Sequence, residues 1–365
     1  MQRVYSIRSR DFGLSQTSFA RACVLVALLI LFLNRASAQI TPLVSSFQQI
    51  SANTGWVANE SGLFWTSDAG RTWKDISPPY MHSELISTPV SLKDAYFVDA
   101  LNGWVLLSDW GDNADAPEVT LAYTKNGGID WTTDRIMVPE VDPEALDGYG
   151  NLFFLDHNTG WLDLGLTSSS NFNSGLLFKT IDGGKTWKHV RDDPWIAAKI
   201  FFKNPKDGWI AGGPGDRDLF VSHDGGDTWE KAILKVPDNI DANSTATPVL
   251  PTFIGDTGFL PLTYRASNET NDLIVVYSTS DFGKSWREEL RLPLSHKVSG
   301  PVGIIKPANG LLTPVLAAAA IGTSVLQIKF IDNTEGWAST WQGLFATSNS
   351  GTTWTDISPF KRRMP

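Results

Sequence analysis

The chain has 365 residues, with 39 acidic and 30 basic side chains and a formal net charge of −9. An acidic balance disfavours nucleic acid and anionic membrane surfaces as partners. A single cysteine, Cys23, excludes an intramolecular disulfide framework.

The first element is a targeting segment. Arg3, Arg8, Arg10 and Arg21 precede an apolar run from Ala22 to Leu33, followed by Ala36-Ser37-Ala38 and Gln39. A basic region, a short apolar core and a small-residue cleavage site predict a secretory leader over residues 1–38. The apolar run is too short to cross a bilayer comfortably, an uncleaved anchor being the alternative reading. Cleavage removes five Arg, one Asp and Cys23, leaving 25 basic and 38 acidic residues, a formal charge of −13. The expectation is an exported protein, periplasmic or extracellular, folded as one domain over residues 39–365.

From there one unit returns six times. Each opens with an extended apolar patch, for example Ile200-Phe201-Phe202. Then comes a Gly-aromatic phrase: Gly55-Trp56, Gly103-Trp104, Gly160-Trp161, Gly208-Trp209, Gly258-Phe259 and Gly336-Trp337. A second apolar patch, such as Leu176-Leu177-Phe178, leads into an eight-residue phrase of the form [ST]-x-[DN]-x-G-x-[TSD]-W. Its acidic or amide position is Asp68, Asn126, Asp182, Asp224, Asp281 and Asn349, and its tryptophan is Trp73, Trp131, Trp187, Trp229, Trp286 and Trp354. Asp or Asn two residues before Gly is turn chemistry: the side-chain oxygen accepts backbone N–H groups ahead of it, and Gly supplies a positive φ. The tryptophan is expected to enter the following strand and wedge into an apolar layer. Eleven of the fifteen Trp lie in these two phrases, so the aromatic content is mostly packing.

Each unit therefore reads strand, Gly turn, strand, loop, strand, Asp/Asn turn, strand. That order predicts an all-β fold, a β-propeller of four-stranded antiparallel blades. Six marked units predict six blades. The intervals between the box tryptophans are 58, 56, 42, 57 and 68 residues, and the surplus in the last lies within 293–326. That segment reads as an additional hairpin, either an insertion or the remnant of a seventh blade. Residues 39–46 and 355–360 are candidates to meet where the ring closes.

The paired phrases resemble the BNR or Asp-box repeat, shared by sialidase-like propellers, sortilin-type receptors, some large glucan hydrolases and photosystem II assembly and stability factors. The run from Gly160 to Trp187 is most similar to the last of these. The resemblance implies that the Asp/Asn turns lie at the blade periphery as folding devices, and that the protein is a scaffold. It also raises sialidase chemistry, but the Arg-Ile-Pro phrase of that group is absent; the nearest match is Arg135-Ile136-Met137.

No catalytic constellation emerges from the residues. His82, His157, His189, His223 and His296 stand singly without metal-ligand spacing. No phosphate loop, nucleophile elbow or metalloprotease helix is present. No catalytic residue, metal or cofactor is therefore assigned. The acidic loop containing Asp109, Trp110, Asp112 and Asp115 is the candidate ligand face, although it lacks the spacing of a calcium loop. Long connections at 79–94, 108–118, 138–150, 235–250 and 263–273 are expected to build one face or its rim.

Two functions fit. One is an exported, non-enzymatic monomer that binds protein. The other is a glycan-binding or glycoside-hydrolysing propeller, which needs two carboxylates facing each other at a suitable separation. A channel of small and apolar residues would favour the first.

Overall fold

Turn chemistry at the Gly-aromatic and Asp/Asn phrases cuts the chain into short antiparallel strands, each pairing with its neighbour in sequence. The computed structural model describes residues 44–359 except 60–61, 83–89, 110–116, 137–140, 168–173, 191–193, 195, 213–216, 239, 241–243, 249, 255, 266–272, 294–324, 333, 341–342 and 350–352. The predicted leader, the hairpin expected within 293–326 and the loop residues Trp110, Asp112 and Asp115 lie wholly or mostly outside the described residues.

Six sheets result, one for each sequence unit, forming a six-bladed β-propeller. Blade 1 contains β1 (Ser46–Gln49), β2 (Gly55–Asn59), β3 (Gly62–Thr66) and β4 (Lys74–Asp75). Blade 2 contains β5 (Ser91–Phe97), β6 (Gly103–Asp109), β7 (Glu118–Thr124) and β8 (Thr132–Arg135). Blade 3 contains β9 (Leu146–Phe154), β10 (Gly160–Leu166), β11 (Gly175–Thr180) and β12 (Lys188–His189). Blade 4 contains β13 (Lys199–Phe202), β14 (Gly208–Gly212), β15 (Asp218–Ser222) and β16 (Glu230–Lys231). Blade 5 contains β17 (Thr245–Pro248), β18 (Thr252–Ile254), β19 (Thr257–Arg265), β20 (Leu273–Thr279) and β21 (Arg287–Pro293). Blade 6 contains β22 (Val325–Phe330), β23 (Gly336–Thr340), β24 (Gly343–Thr347) and β25 (Thr355–Asp356). In blade 5 both β17 and β18 pair with β19, so its innermost strand is split, with Pro251 just ahead of the second piece.

Strand alternation fixes the two faces. Turns between first and second strands, and between third and fourth, fall at one end of every blade. The remaining connections fall at the other end, and the long connections in the sequence all belong to this second group. Several fourth strands are only two residues long and exposed, which blunts the outer edge against pairing. The box tryptophans sit just ahead of these strands rather than on them: β4 begins at Lys74, one residue after Trp73.

The core lies between blades. Trp104 of blade 2 stacks on Phe154 of blade 3 at 3.7 Å between ring centroids, and Trp161 of blade 3 stacks on Phe202 of blade 4 at 3.6 Å. The box tryptophan of the receiving blade then meets the same phenylalanine edge-on, as Trp187 does Phe154 and Trp229 does Phe202. Ring closure uses the same logic without strand exchange. β1 pairs with β2 and β25 with β24, so the two ends do not pair with each other. Instead, Trp73 donates its indole N–H to the carbonyl of Ile357 at 2.8 Å and packs edge-on against Trp337. Val44, Phe47, Val57, Trp337, Leu344 and Ile357 form one buried cluster shared by the first and last blades.

Candidate functional site

Each Asp/Asn turn closes on itself through the same bonds. In blade 3, Thr180 Oγ1 donates to Asp182 Oδ1 at 2.8 Å and accepts from Gly184 N at 3.0 Å. Asp182 then accepts from Thr186 N at 2.9 Å and from Thr186 Oγ1 at 2.6 Å. The set recurs around Asp68, Asp224 and Asp281. Where Asn126 replaces the acid, its Nδ2 donates to Asp130 Oδ2 at 2.9 Å; where Asn349 does so, its Nδ2 donates to Thr353 Oγ1 at 2.8 Å. A donor thus always meets an acceptor: Asp130 stands where other boxes have a hydroxyl residue, and the Thr353 hydroxyl turns from donor to acceptor.

Electrostatics follow these bonds. The Thr72 hydroxyl and amide hold Asp68 down at about 2, and Ser285 does the same for Asp281, also at about 2. At Asp182 and Asp224 partial burial pushes upward, but hydrogen bonds from Thr186 and Thr228 outweigh it and the carboxyls stay below their ordinary range. The turns are spaced around the ring, one to a blade. Each presses on the preceding blade: a Cβ on Gly184 would sit 2.7 Å from Leu121, and one on Gly226 would sit 2.8 Å from Trp161.

Two histidines are anchored on the turn-bearing face. His157 pairs with Asp99 across blades at 2.9 Å, and His223 pairs with Asp207 at 2.7 Å and is half-buried. Asp109 is buried at the end of β6 and accepts a hydrogen bond from Tyr80 Oη at 2.9 Å. Asn59 is buried and accepts from Gly62 N. Among the described residues no group of three or more His, Cys, Asp or Glu could hold a metal ion. None of their helices is long and apolar enough to cross a membrane.

Among the described residues a concave site lies in the central channel, a cavity of ≈ 850 Å³ walled by the first strands of the blades. Register places corresponding residues in two layers. Opposite the Trp of the Gly-Trp phrases stand Gln48, Tyr96, Phe153, Phe201 and Lys329. Two residues earlier along each strand stand Ser46, Asp94, Asn151 and Lys199 in blades 1 to 4. In the first layer, Tyr96, Phe153 and Phe201 make an aromatic arc, with centroids 5.0 Å and 5.6 Å apart, which Phe253 of blade 5 extends at 6.1 Å from Phe201. The arc ends where blades 6 and 1 supply Lys329 and Gln48.

The polar groups are unequal. Gln48 stitches blade 1 to blade 2: its Nε2 donates to Phe97 O at 2.9 Å, and its Oε1 accepts from Phe97 N and from the Trp56 indole. Asp94 stitches blade 2 to blade 3, with Oδ2 accepting from Leu152 N at 2.8 Å and Oδ1 from Ala95 N at 2.9 Å. Burial still drives the Asp94 carboxyl upward, against the pull of these amides and of Lys199 and Lys329. Lys329 reaches channel solvent, but protein surrounds that solvent. This desolvation and the like charge of Lys199 hold its ammonium down to about 8, while Asp94 opposes them. The Tyr96 phenol is raised by burial and by the Asp94 charge. Lys203, beyond the end of β13, lies 5.6 Å from the Phe253 ring centre.

None of the channel charges was singled out in the sequence. A usable signal exists: Gln48, Tyr96, Phe153, Phe201 and Lys329 each lie seven residues before the Gly of a Gly-Trp phrase, and Asp94 and Lys199 lie nine before.

No protein-family model matches the chain. In sequence it is similar to a vacuolar protein sorting/targeting protein 10 of Sordaria macrospora, with 25% identity over 306 residues that cover 77% of this chain. The chain spans 19% of that relative's length. Among solved structures it is similar to YCF48 from Cyanidioschyzon merolae, with 16% identity, 88% of each chain covered and a TM-score of 0.47. It is also similar to a GH74 enzyme of Niastella koreensis, with 12% identity, 87% of this chain and 54% of that chain covered and a TM-score of 0.48. The SapL1 lectin, solved with alpha methyl fucoside, shows 14% identity over 89% of this chain and 98% of the lectin, with a TM-score of 0.45.

Proposed function

We propose that this chain is an exported Asp-box propeller that binds a protein partner at its channel and long-loop face, as a scaffold or assembly factor and not as an enzyme. The observation that carries this reading is the channel wall. It offers an aromatic arc and lysines, the makings of an apolar and charge-complementary contact. Its carboxylate Asp94 has both oxygens committed to main-chain amides. Glycoside hydrolysis requires two carboxylates, one protonated toward a leaving group and one facing a sugar ring or water, and a carboxylate whose two oxygens each accept from an amide of the wall is poorly placed for either task. The sequence relative is named for protein sorting and targeting, which agrees with a protein as the partner.

The test is to present purified residues 39–365 to an envelope extract with a cleavable crosslinker, in parallel with a glycan array and a panel of chromogenic glycosides. The reading expects a protein recovered in stoichiometric yield and no turnover. Turnover of a glycoside, or saturable glycan binding with no protein recovered, overturns it.

A further inference from the structure

We propose that the channel is a binding site for a single carboxylate carried on an apolar body, the anion lying between Lys199 and Lys329 and the body against Tyr96, Phe153 and Phe201. This deepens the protein-binding reading and rests on it only for the larger partner, not for the site itself.

The argument is one of charge and partners. Among the described residues, the channel-facing positions of blades 2, 4 and 6 carry Asp94, Lys199 and Lys329, and Lys203 lines the same cavity beside Phe253, so ammonium groups outnumber the one carboxylate. Asp94 is already bonded to the amides of Leu152 and Ala95. Neither Lys199 nor Lys329 makes a hydrogen bond or close ion pair with a described residue, and Lys329 feels the charge of Lys199. Two like charges in a confined, poorly solvated space repel, and an opposite charge between them relieves both. An anion offsets that excess of positive charge, whereas a neutral sugar leaves it uncompensated. The body follows from the wall: three adjacent aromatic faces and ≈ 850 Å³ of space suit an apolar group of drug-like size.

The site's pH dependence has a sign. The titratable groups facing it are Asp94 and Tyr96 from β5, Lys199 from β13, Lys203 beyond it and Lys329 from β22. Desolvation and the like charge of Lys199 hold Lys329 down to about 8, so affinity for the anion falls as pH rises through that value.

Calorimetric titration of the purified chain with 4-phenylbutyrate and with its uncharged amide tests the site. The acid is expected to bind and the amide to bind about tenfold or more weakly. Lys199→Met and Lys329→Met should each cost the acid about tenfold and leave the amide unchanged, and the acid should weaken between pH 7 and 9.5. Equal affinity for acid and amide, or no binding of the acid, overturns the proposal. If a variant fails to fold, the acid–amide comparison on the native chain decides. A short peptide with one glutamate among apolar residues, set against its glutamine counterpart, separates the sources: tighter binding of the glutamate peptide than of the free acid assigns the carboxylate to a protein partner, and the reverse to a small molecule. Carboxylate binding without any protein recovered from the envelope extract defeats the protein-binding reading and leaves this site standing. Protein recovery without carboxylate binding does the opposite.

Discussion

The turn-bearing rim and the channel wall come from the same repeated unit, yet repetition holds at one and lapses at the other. On the rim, Asp68, Asp182, Asp224 and Asp281 make the same bonds, and the Asn126 turn keeps the pattern by changing two residues together. On the wall, equivalent positions of five blades change from an amide, Gln48, through three aromatics, Tyr96, Phe153 and Phe201, to a cation, Lys329. A position that every blade fills alike answers to folding. A position whose chemistry changes from blade to blade is free to answer to a ligand. The variants below press on that contrast.

The largest effect belongs to the inter-blade stack. Trp161 is fully buried and stacked on Phe202, so Trp161→Ala should lower unfolding free energy by about 3–5 kcal/mol, measured by denaturant titration. The folded fraction should keep its affinity for any channel ligand.

Next comes the paired substitution on the rim. Asn126→Asp places a second carboxylate against Asp130 and removes the Nδ2 donor, which should lower the melting temperature. Adding Asp130→Thr recreates the pairing seen at Asp182 and Thr186 and should restore it. The cycle should give a coupling of about 0.5–3 kcal/mol, whereas additive effects would mean that the pair acts independently.

Acid sensitivity is a smaller, distributed effect. Asp68 and Asp281 titrate at about 2 in the folded chain, below the unfolded value of about 3.9. Their contribution is therefore complete above pH 4 and is lost as pH falls toward 2, because the unfolded chain takes up protons first. Melting temperature against pH should drop in that window, and less steeply in Asp281→Asn.

The smallest effect has the opposite sign. Ala69 holds φ at 60°, where Gly127, Gly183 and Gly225 stand in other blades. Ala69→Gly relieves a left-handed alanine and should raise stability by up to about 1 kcal/mol; a loss there would mean that its methyl group packs.

These same contrasts explain what the sequence could reveal. Blade number and strand order were legible because Gly55 to Gly336 and the Asp/Asn turns need particular residues at a fixed phase. The split inner strand of blade 5 was not, since Pro251 shows its effect only once β19 is seen to take two partners. Ring closure was not legible either: it depends on Trp73 meeting Ile357 and Trp337 by side chain, and no strand pattern records that. The channel was hidden for a related reason. Lys199 and Lys329 are 130 residues apart and share a cavity only because blades 4 and 6 face one axis.

The most direct test of this division compares two variants in two assays. Asp182→Ala and Lys329→Met are each measured for melting temperature and for affinity toward 4-phenylbutyrate. The rim variant is predicted to melt lower and bind normally, and the channel variant to melt no lower and bind about tenfold more weakly. A rim variant that keeps its stability and loses its affinity would contradict the account.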